Sequence, residues 1–426
     1  MEIKTYLYPD RSVWEIIQQR PELDVMSLFD TVQSVLNDVK KEGDKAVRRY
    51  GERFDKVSIA DLQVSTAEID EADRMLADEL KQAINTAYQN IKKFHAAQHF
   101  EELTVETMPG VTCRQKAVAI EKVGLYIPGG TAPLFSSVLM LAAPASIAGC
   151  KEIVLCTPPN REGNVHPAIL FAAKVSGVNQ VFKIGGIQAI AAMTYGTETV
   201  PKVYKIFGPG NQYVVAAKQF VCLKDVAIDM PAGPSEVMII ADEAANPAFI
   251  AADFLSQAEH GTDSQSVLVT ASETLAEAVK KEIASQLSKL PRRDFIEKSL
   301  SHSFIVMLEN DAEMIDFTNQ YAPEHLIIQT ANYSDISDKI LNASSVFLGP
   351  YTPESAGDYA SGTNHTLPTK GYAKMYSGVN LDSFTKKITY QEITKEGLQL
   401  LGSVIEIMAE AERLEAHKNA VSVRKI

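Results

Sequence analysis

The sequence has little cysteine and tryptophan, and it lacks an apolar run long enough to cross a bilayer. Four cysteines and one tryptophan occur among 426 residues, and no two cysteines form a Cys-x-x-Cys pair. A disulfide framework, a thiolate zinc site and thioredoxin-like chemistry are therefore not expected, and we predict buried free thiols in a reducing compartment. The longest mostly apolar stretch, residues 138–148, contains Pro144 and is too short for a transmembrane helix.

Positive charge is also scarce relative to negative charge. Lys and Arg number 41 against 54 Asp and Glu, which gives a net charge of −13. A surface this acidic disfavours binding to nucleic acids and anionic lipids. The first residues, Met1 to Tyr6, lack the charged and then apolar pattern of a signal peptide. We therefore expect a soluble, cytoplasmic protein with no nucleic-acid or membrane partner.

The periodicity predicts a helical region followed by two α/β groups. Residues 26–100 have helical apolar spacing, and Ser65 with Glu68 forms a capping box for a helix that includes residues 76–91. From residue 120, apolar strands alternate with helices, a pattern typical of parallel sheets. Beyond residue 378, the spacing predicts helices over 391–408 and 409–421. The predicted strands are 123–127, 152–156, 180–184 and 204–207 in the first group, and 236–241, 266–270, 304–308, 326–329 and 345–348 in the second.

Four polar segments in the second half of the chain contain candidate catalytic histidines. Each places a histidine near a carboxylate or an amide, and none of these side chains is a sulfur donor. Nitrogen and oxygen donors suit Zn²⁺ or Mn²⁺ in a catalytic site, and an adjacent Glu–His pair is a candidate acid/base couple. These residues are equally compatible with a metallohydrolase and a redox enzyme. The pairs are Gln257 and His260, Glu324 and His325, Asp358 and His365, and Glu412 and His417.

Glycine-containing turns provide a weaker signal for a nucleotide. Residues 207–213 follow a predicted strand and open a helix, where phosphate commonly binds. Tyr213 stands where the GxGxxG fingerprint has its third glycine, and the sequence has no Walker A motif. The pairs Gly129-Gly130 and Gly185-Gly186 occupy similar turns. Each of these segments taken alone is compatible with a turn that binds nothing.

Taken together, these segments resemble the histidinol dehydrogenase family. The similarity runs in one order from about residue 25 to the C-terminus, and the matching strings are long and unusual. The strings are Tyr126-Ile-Pro-Gly-Gly-Thr-Ala-Pro133, Lys205-Ile-Phe-Gly-Pro-Gly-Asn211, Ile228-Asp-Met-Pro-Ala-Gly-Pro-Ser-Glu236, Ser256-Gln-Ala-Glu-His260, Ala322-Pro-Glu-His325, Ser355-Ala-Gly-Asp358 with Asn364-His365, and Ala411-Glu-Arg-Leu-Glu-Ala-His417.

The resemblance implies an activity and an architecture. The activity is the oxidation of L-histidinol through L-histidinal to L-histidine, with two NAD reduced, in the last steps of histidine biosynthesis. The architecture is α/β, with two successive incomplete Rossmann-like parallel-sheet domains and small helical terminal segments, in a homodimer with shared active sites. We expect an N-terminal segment (1–25), a first α/β domain with the metal and acid/base residues (26–125 plus 235–378), an NAD-binding second α/β domain (126–234), and a tail on the partner subunit (379–426).

The resemblance also implies a role for each site residue. One Zn²⁺ per subunit would be bound by Gln257, His260, Asp358 and His417, which with His325 also contact the substrate. Glu324 and His325 would be the acid/base residues. Ser235, His365 and Glu412 would line the substrate pocket, and Tyr126, Gln188 and Asn211 would contact NAD.

Two other classes of protein, a metallohydrolase and a non-catalytic binding protein, are alternatives to a dehydrogenase. A metallohydrolase with the same ligands would depend on zinc but would not reduce NAD. A non-catalytic binding paralogue would have lost some ligands, and none of them is missing from this sequence.

Overall fold

The computed structural model describes residues 3–21, 26–129 and 132–425. Helices and strands alternate along most of this length. The strands are β1 (Lys4–Leu7), β2 (Leu103–Met108), β3 (Val111–Ala119), β4 (Lys122–Tyr126), β5 (Glu152–Thr157), β6 (Gln180–Lys183), β7 (Lys205–Phe207), β8 (Ala227–Ile228), β9 (Glu236–Ala241), β10 (Gln265–Thr270), β11 (Phe304–Met307), β12 (His325–Gln329), β13 (Ser345–Leu348) and β14 (Thr385–Ile393).

Most of the helices connect or cover these strands. They are α1 (Trp14–Ile17), α2 (Phe29–Glu42), α3 (Asp44–Tyr50), α4 (Thr66–Met75), α5 (Asp78–Ala96), α6 (Phe135–Ala148), α7 (Pro167–Ser176), α8 (Gly186–Tyr195), α9 (Gln212–Cys222), α10 (Pro247–Ala258), α11 (Glu273–Leu287), α12 (Arg293–Leu300), α13 (Asp311–Tyr321), α14 (Tyr333–Ser337), α15 (Glu354–Tyr359), α16 (Lys395–Ala411) and α17 (Glu415–Ser422). In the described ranges, no helix combines the length and the apolar character that a membrane span requires.

Two parallel sheets form the centre of the molecule. The first has the order β6-β5-β4-β7-β8, and the second has the order β1-β11-β10-β9-β12-β13. In both, the first strand of the α/β group is central, with the second and third strands on one side and the fourth and fifth on the other. This is the strand order of an open Rossmann-like sheet. The prediction of two incomplete Rossmann-like units is confirmed, and every predicted strand lies within one residue of the observed boundaries.

A third, antiparallel sheet was not predicted. Its order is β14-β3-β2, and β14 pairs with β3 along its full length. The prediction of a helix from residue 391 is wrong at its start, because β14 extends to Ile393 and α16 begins after the Thr394 cap. Nearly every residue of β2 and β14 is exposed in this chain. Without a buried face, these strands lack the apolar alternation that reveals a half-buried strand in a sequence.

The helices before residue 100 pack on the first sheet. Helices α2 and α3 contact α8, while α4 and α5 contact α6 and α7. The predicted grouping of residues 26–125 with 235–378 is therefore corrected: these helices belong with the sheet of β4–β8. The apolar face of α2, which includes Val32, Leu36 and Val39, joins the core cluster of that sheet. An amphipathic pattern predicts that a helix has a buried face, but not which sheet covers it.

The beginning of the chain belongs to the second sheet. Strand β1 pairs with β11, and Trp14 and Ile17 join the core beneath that sheet. The capping box at Ser65 and Glu68 is present, but it opens the shorter helix α4, and α5 starts separately at Asp78. Of the cysteines, Cys150 and Cys156 are buried as expected, whereas Cys222 is exposed, so burial was wrongly predicted for it.

Candidate active site

The candidate active site lies between the two α/β units. His325 is the first residue of β12 and Glu236 the first residue of β9, so the site is at the amino end of the second sheet. Asn364 donates a hydrogen bond to the backbone oxygen of Met140 on α6, at 2.6 Å. This contact joins the loop after α15 to the helix that follows β4. Residues from both units therefore meet at the same place.

His325 is almost completely buried, with 4% of its side chain exposed. Its Nδ1 lies 3.3 Å from Oε1 of Glu354, and its Nε2 lies 3.7 Å from Oδ1 of Asp358. Burial lowers the pKa of His325 to about 3, and the neighbouring His260 and His365 contribute to the same shift. The imidazole is therefore neutral at neutral pH, and a neutral imidazole can accept a proton.

Glu324 is held by the backbone of the neighbouring strand. Its Oε2 accepts a hydrogen bond from the backbone N–H of Glu236 at 2.9 Å. Burial raises the pKa of Glu324 well above its ordinary value, and the nearby Glu236 and Asp358 raise it further. Glu236 is itself paired with Arg20, whose guanidinium also donates to the backbone oxygen of Tyr321 at 2.7 Å. The N-terminal segment therefore supports the strand end that carries Glu324.

A group of possible metal ligands lies beside His325. Nitrogen and oxygen atoms of His260, Glu354 and Asp358 lie within 4.8 Å of one another, and the distance from His260 Nε2 to Asp358 Oδ2 is 3.8 Å. Burial raises the pKa of Asp358 to about 7. Two of the four predicted zinc ligands, His260 and Asp358, are thus brought together. Glu354 was not among the predicted ligands.

Unpaired buried polar atoms mark the same region. Gln257 is fully buried on α10, one turn before His260, and neither its amide oxygen nor its amide nitrogen has a hydrogen-bond partner in the described structure. The same holds for both ring nitrogens of His325 and both carboxyl oxygens of Glu354. An unsatisfied buried polar group costs about 1–3 kcal/mol, so several of them in one place indicate a binding site. The donor set of nitrogen and oxygen atoms fits Zn²⁺.

The predicted substrate residues occupy different positions around this group. His365 donates its Nδ1–H to the backbone oxygen of Asp358 at 2.8 Å, so its Nε2 accepts the hydroxyl of Ser137 at 3.0 Å. Ser137 is one of the buried residues of α6, and it was not predicted as part of the site. Ser235 directly precedes β9 and is partly buried next to Glu236.

The tail residues Glu412 and His417 lie apart from the group in this chain. Both are exposed, and α17, which carries His417, packs on α16. Within residues 3–21, 26–129 and 132–425, the metal-ligand group found around His260 does not include His417. A single chain therefore does not bring this predicted ligand to the other three.

A large cavity opens at the carboxyl ends of the first sheet. It has a volume of about 1420 Å³, and Tyr126, Asp55, Gly186 and Asn211 contribute to its lining. Strands β5 and β6 lie on one side of β4, and β7 and β8 lie on the other. The strand order therefore reverses between β4 and β7, and ligands of open α/β sheets bind at such switch points. Residues 130–131 of the predicted turn lie outside the described residues.

Two of the three predicted NAD contacts line this cavity. The hydroxyl of Tyr126 accepts a hydrogen bond from the Gly186 N–H at 3.0 Å, and burial raises the pKa of Tyr126 to about 12. Asn211 caps α9 with its side-chain oxygen. Gln188 lies behind the cavity wall; it is buried and donates to Oδ2 of Asp55 at 3.1 Å. Burial raises the pKa of Asp55 to about 6.

The turn after β7 requires glycine at its first position. Gly208 has φ +121°, and a Cβ there would lie 2.0 Å from the backbone oxygen of Tyr126. Only glycine combines that backbone conformation with such a close approach of β7 to β4. This glycine therefore serves the strand packing at the cavity floor rather than a GxGxxG fingerprint.

Comparisons with known proteins indicate one family. A family model described as histidinol dehydrogenase matches residues 18–425. A histidinol dehydrogenase from Bacteroides thetaiotaomicron is 62% identical over 422 residues, covering 99% of each chain. The Escherichia coli K12 enzyme of that name is 53% identical over 400 residues, covering 93% of this chain and 91% of its own.

A solved structure gives the same result. The crystal structure of histidinol dehydrogenase from Elizabethkingia anophelis superposes with a TM-score of 0.97 at 54% identity, covering 99% of this chain and 98% of that one. The chain belongs to the histidinol dehydrogenase family. Membership of this family makes the protein an oxidoreductase of histidine biosynthesis, and the α/β fold predicted from the resemblance is confirmed. The choice between a dehydrogenase and a metallohydrolase is settled in favour of the first.

Some residues of the site were missed at the level of the sequence. Glu354 lies four positions before Asp358, a spacing that places two side chains on one helix face. That spacing was a usable signal, because Glu354 directly precedes the string Ser355-Ala-Gly-Asp358. Asp55 and Ser137 had no such signal, because each reaches its site through the packing of distant segments.

Proposed function

We propose that the protein oxidises L-histidinol through L-histidinal to L-histidine in the cytoplasm, with two NAD reduced and with one Zn²⁺ per subunit. The observation that supports this most strongly is the placement of His325. Its buried, neutral imidazole lies beside a group of nitrogen and oxygen donors. This group is at the place where the second sheet meets α6, the helix that follows β4. An alcohol oxidation needs a proton acceptor next to the carbon that loses hydride.

The proposed metal site uses the unpaired donors. Gln257, His260 and Asp358 of one chain, with His417 of the partner subunit, would hold Zn²⁺. A bound zinc ion would supply a Lewis acid that anchors the imidazole and the amine of the substrate. Ser235, His365 and Glu412 would complete the substrate pocket around these ligands.

The acid/base residues divide the chemistry between them. His325 takes the hydroxyl proton when hydride leaves the alcohol for NAD. Glu324 then accepts a proton from the water that adds to the aldehyde, and its raised pKa brings its basicity closer to that task. His325 returns its proton to the aldehyde oxygen as the water adds, so the ring is neutral again when it takes a hydroxyl proton of the hydrated aldehyde in the second oxidation. Keeping the reactive aldehyde bound between the two oxidations protects it from side reactions.

The cavity at the first sheet is the proposed NAD site. Tyr126 and Asn211 line it directly, and Gln188 supports it through Asp55. Its position at the carboxyl ends of β4 and β7 is the usual place for a dinucleotide in an open α/β sheet. Helix α6 connects this cavity to Ser137 and His365 in the substrate pocket.

The proposed homodimer is supported by the surface of the tail. Helix α16 exposes large apolar side chains on one stretch, namely Leu400, Val404, Ile407 and Met408. Contiguous exposed apolar residues are characteristic of protein interfaces. When a partner subunit covers this surface, Glu412 and His417 of one chain would reach the metal-ligand group of the other chain.

The proposed reaction can be tested by its stoichiometry. Purified protein incubated with L-histidinol and NAD should form two NADH for each histidine, and a chelator should stop the reaction. A metallohydrolase would be sensitive to the chelator but would form no NADH. One NADH per turnover, with histidinal released, would contradict the proposed four-electron oxidation.

The roles of Glu324 and His325 should separate in half-reactions. His325→Asn should slow the oxidation of histidinol and of added histidinal alike, because each oxidation releases a proton. Glu324→Gln should impair the histidinal half-reaction about 10²–10³-fold and the histidinol half-reaction less, since only the former needs an added water. The measurement is single-turnover NADH formation from each substrate. Equal impairment of both half-reactions by Glu324→Gln would contradict this division.

A further inference from the structure

Glu354 is a buried carboxyl without an assigned role. It begins α15, only 1% of its side chain is exposed, and neither carboxyl oxygen has a hydrogen-bond partner in the described residues. A buried carboxyl group without a partner is costly, so its presence needs a physical reason. We propose that Glu354 is a positioning residue that accepts the Nδ1–H of His325, which leaves Nε2 as the proton-accepting atom. This inference rests on the proposed function, in which His325 is the base.

Glu354 lies close to the Nδ1 atom of His325. Oε1 of Glu354 lies 3.3 Å from Nδ1 of His325, whereas Oε2 of Glu324, its neighbour in sequence, lies 3.9 Å away. Glu324 also has another partner, the backbone N–H of Glu236. Glu354 is therefore the closer of these two carboxyl groups to Nδ1, although it is distant in the sequence. At 3.3 Å the two atoms are within hydrogen-bond distance, and each has no other hydrogen-bond partner among the described residues.

The two nitrogens of the His325 ring face different carboxyl groups. Nδ1 faces Glu354, and Nε2 faces Asp358 in the group of possible metal ligands. A neutral imidazole carries one proton, and the nitrogen without it is the one that accepts another. If Nδ1 donates to Glu354, the free electron pair lies on Nε2, toward the substrate. The hydrogen bond of the second nitrogen commonly sets the tautomer of a functional histidine in this way.

The start of α15 contacts two other elements. The backbone N–H of Glu354 lies next to the carboxyl group of Asp253 on α10. That carboxyl group of Asp253 also accepts a hydrogen bond from Gln329 at the end of β12, at 3.3 Å. Asp253 therefore places the start of α15 next to both the helix that precedes His260 and the strand that carries His325. A residue packed between two such elements can hold its neighbour in a defined orientation.

Two rival interpretations lead to different outcomes. Glu354 belongs to the group of possible ligands with His260 and Asp358, so it could bind the metal directly. The backbone of Glu236 also lies beside the ring of His325 and could hold the same proton. If Glu354 binds the metal, replacing it by glutamine removes the metal. If the backbone of Glu236 holds the proton, the same replacement leaves the tautomer of His325 unchanged.

The test combines spectroscopy, metal analysis and kinetics on three variants of the full-length holoenzyme. Glu354→Gln keeps the size of the side chain but offers an amide N–H to Nδ1. Glu354→Asp keeps the carboxylate. Asp44→Asn is the matched control, because it alters a buried carboxylate that bonds to Thr199 in the first unit. Nitrogen-15 NMR of histidine-labelled protein reports the tautomer of His325, assigned with His325→Asn.

We expect the Nδ1–H tautomer in the unmodified protein, in Glu354→Asp and in Asp44→Asn. Glu354→Gln should shift His325 toward the Nε2–H form and lower kcat about 100-fold, with KM within about threefold and zinc content unchanged. Glu354→Asp should recover part of the lost kcat. These outcomes together would support the positioning role.

Several results would overturn the inference. They are an Nε2–H tautomer in the unmodified protein, an unchanged tautomer or unchanged kcat in Glu354→Gln, or loss of zinc from that variant. If Glu354→Gln does not fold, the tautomer of the unmodified protein still decides whether Nδ1 is a donor. Absence of NADH formation by the unmodified protein would refute the proposed function, while the spectra would still test the contact between Glu354 and His325.

Discussion

Replacement of His260 or Asp358 by asparagine is expected to remove zinc and turnover together. The two side chains approach each other at 3.8 Å, and the amide of Gln257, one turn earlier in the chain, has no other partner among the described residues. Loss of one of the four proposed ligands removes a bond to the metal and so lowers the affinity of the site strongly. We expect activity to fall about 10³-fold, a loss of roughly 4 kcal/mol in transition-state stabilisation.

The measurement pairs metal content with NADH formation for each variant. His99→Asn provides the control, since His99 is exposed on the protein surface and outside the site. Chelation of the unmodified protein should reproduce the loss, and added Zn²⁺ or Mn²⁺ should restore activity. Full activity in a sample without metal would remove zinc from the proposed mechanism.

Mixing two inactive variants is expected to restore about a quarter of the original activity. In the structure, His417 is exposed on α17, away from the His260 group of its own chain. If each site takes His417 from the partner subunit, His260→Ala and His417→Ala homodimers are both inactive. A mixed dimer has one site with both residues intact. With random pairing, about half of the dimers are mixed, and each has one working site of two.

The experiment requires unfolding and refolding the two variants together and verifying the mixed dimers by mass. Each variant refolded alone serves as the control for residual activity. Recovery of activity would place His417 in the site of the partner subunit. No recovery, with mixed dimers present, would mean that each chain supplies its own His417 and would refute the shared site.

Local patterns were sufficient to predict much of this protein. The alternation of buried strands with helices predicted nine strands of the two parallel sheets to within one residue at each end, but not the edge strands β1 and β8. Strands buried on both faces are visible in a sequence because nearly every position in them is apolar. The strings around His260, His325 and Asp358, taken together with the other matching strings, indicated the family. Such strings are informative because the chemistry needs particular side chains at fixed spacing.

The packing of distant segments could not be predicted in the same way. The sheet of β2, β3 and β14 was missed because its exposed strands have no apolar period. Helices α2 to α5 were assigned to the wrong sheet, since an apolar face does not specify the surface that covers it.

The sequence by itself determined the family, the two parallel sheets and the residue types of the site. Only the tertiary structure decided that Glu354, rather than the adjacent Glu324, is the carboxyl group nearer to His325 Nδ1. Neighbouring residues at a strand end point in different directions, whereas α15 approaches β12 from elsewhere in the chain. Proximity in space arises from the packing of whole elements, and a local sequence pattern contains no information about that packing.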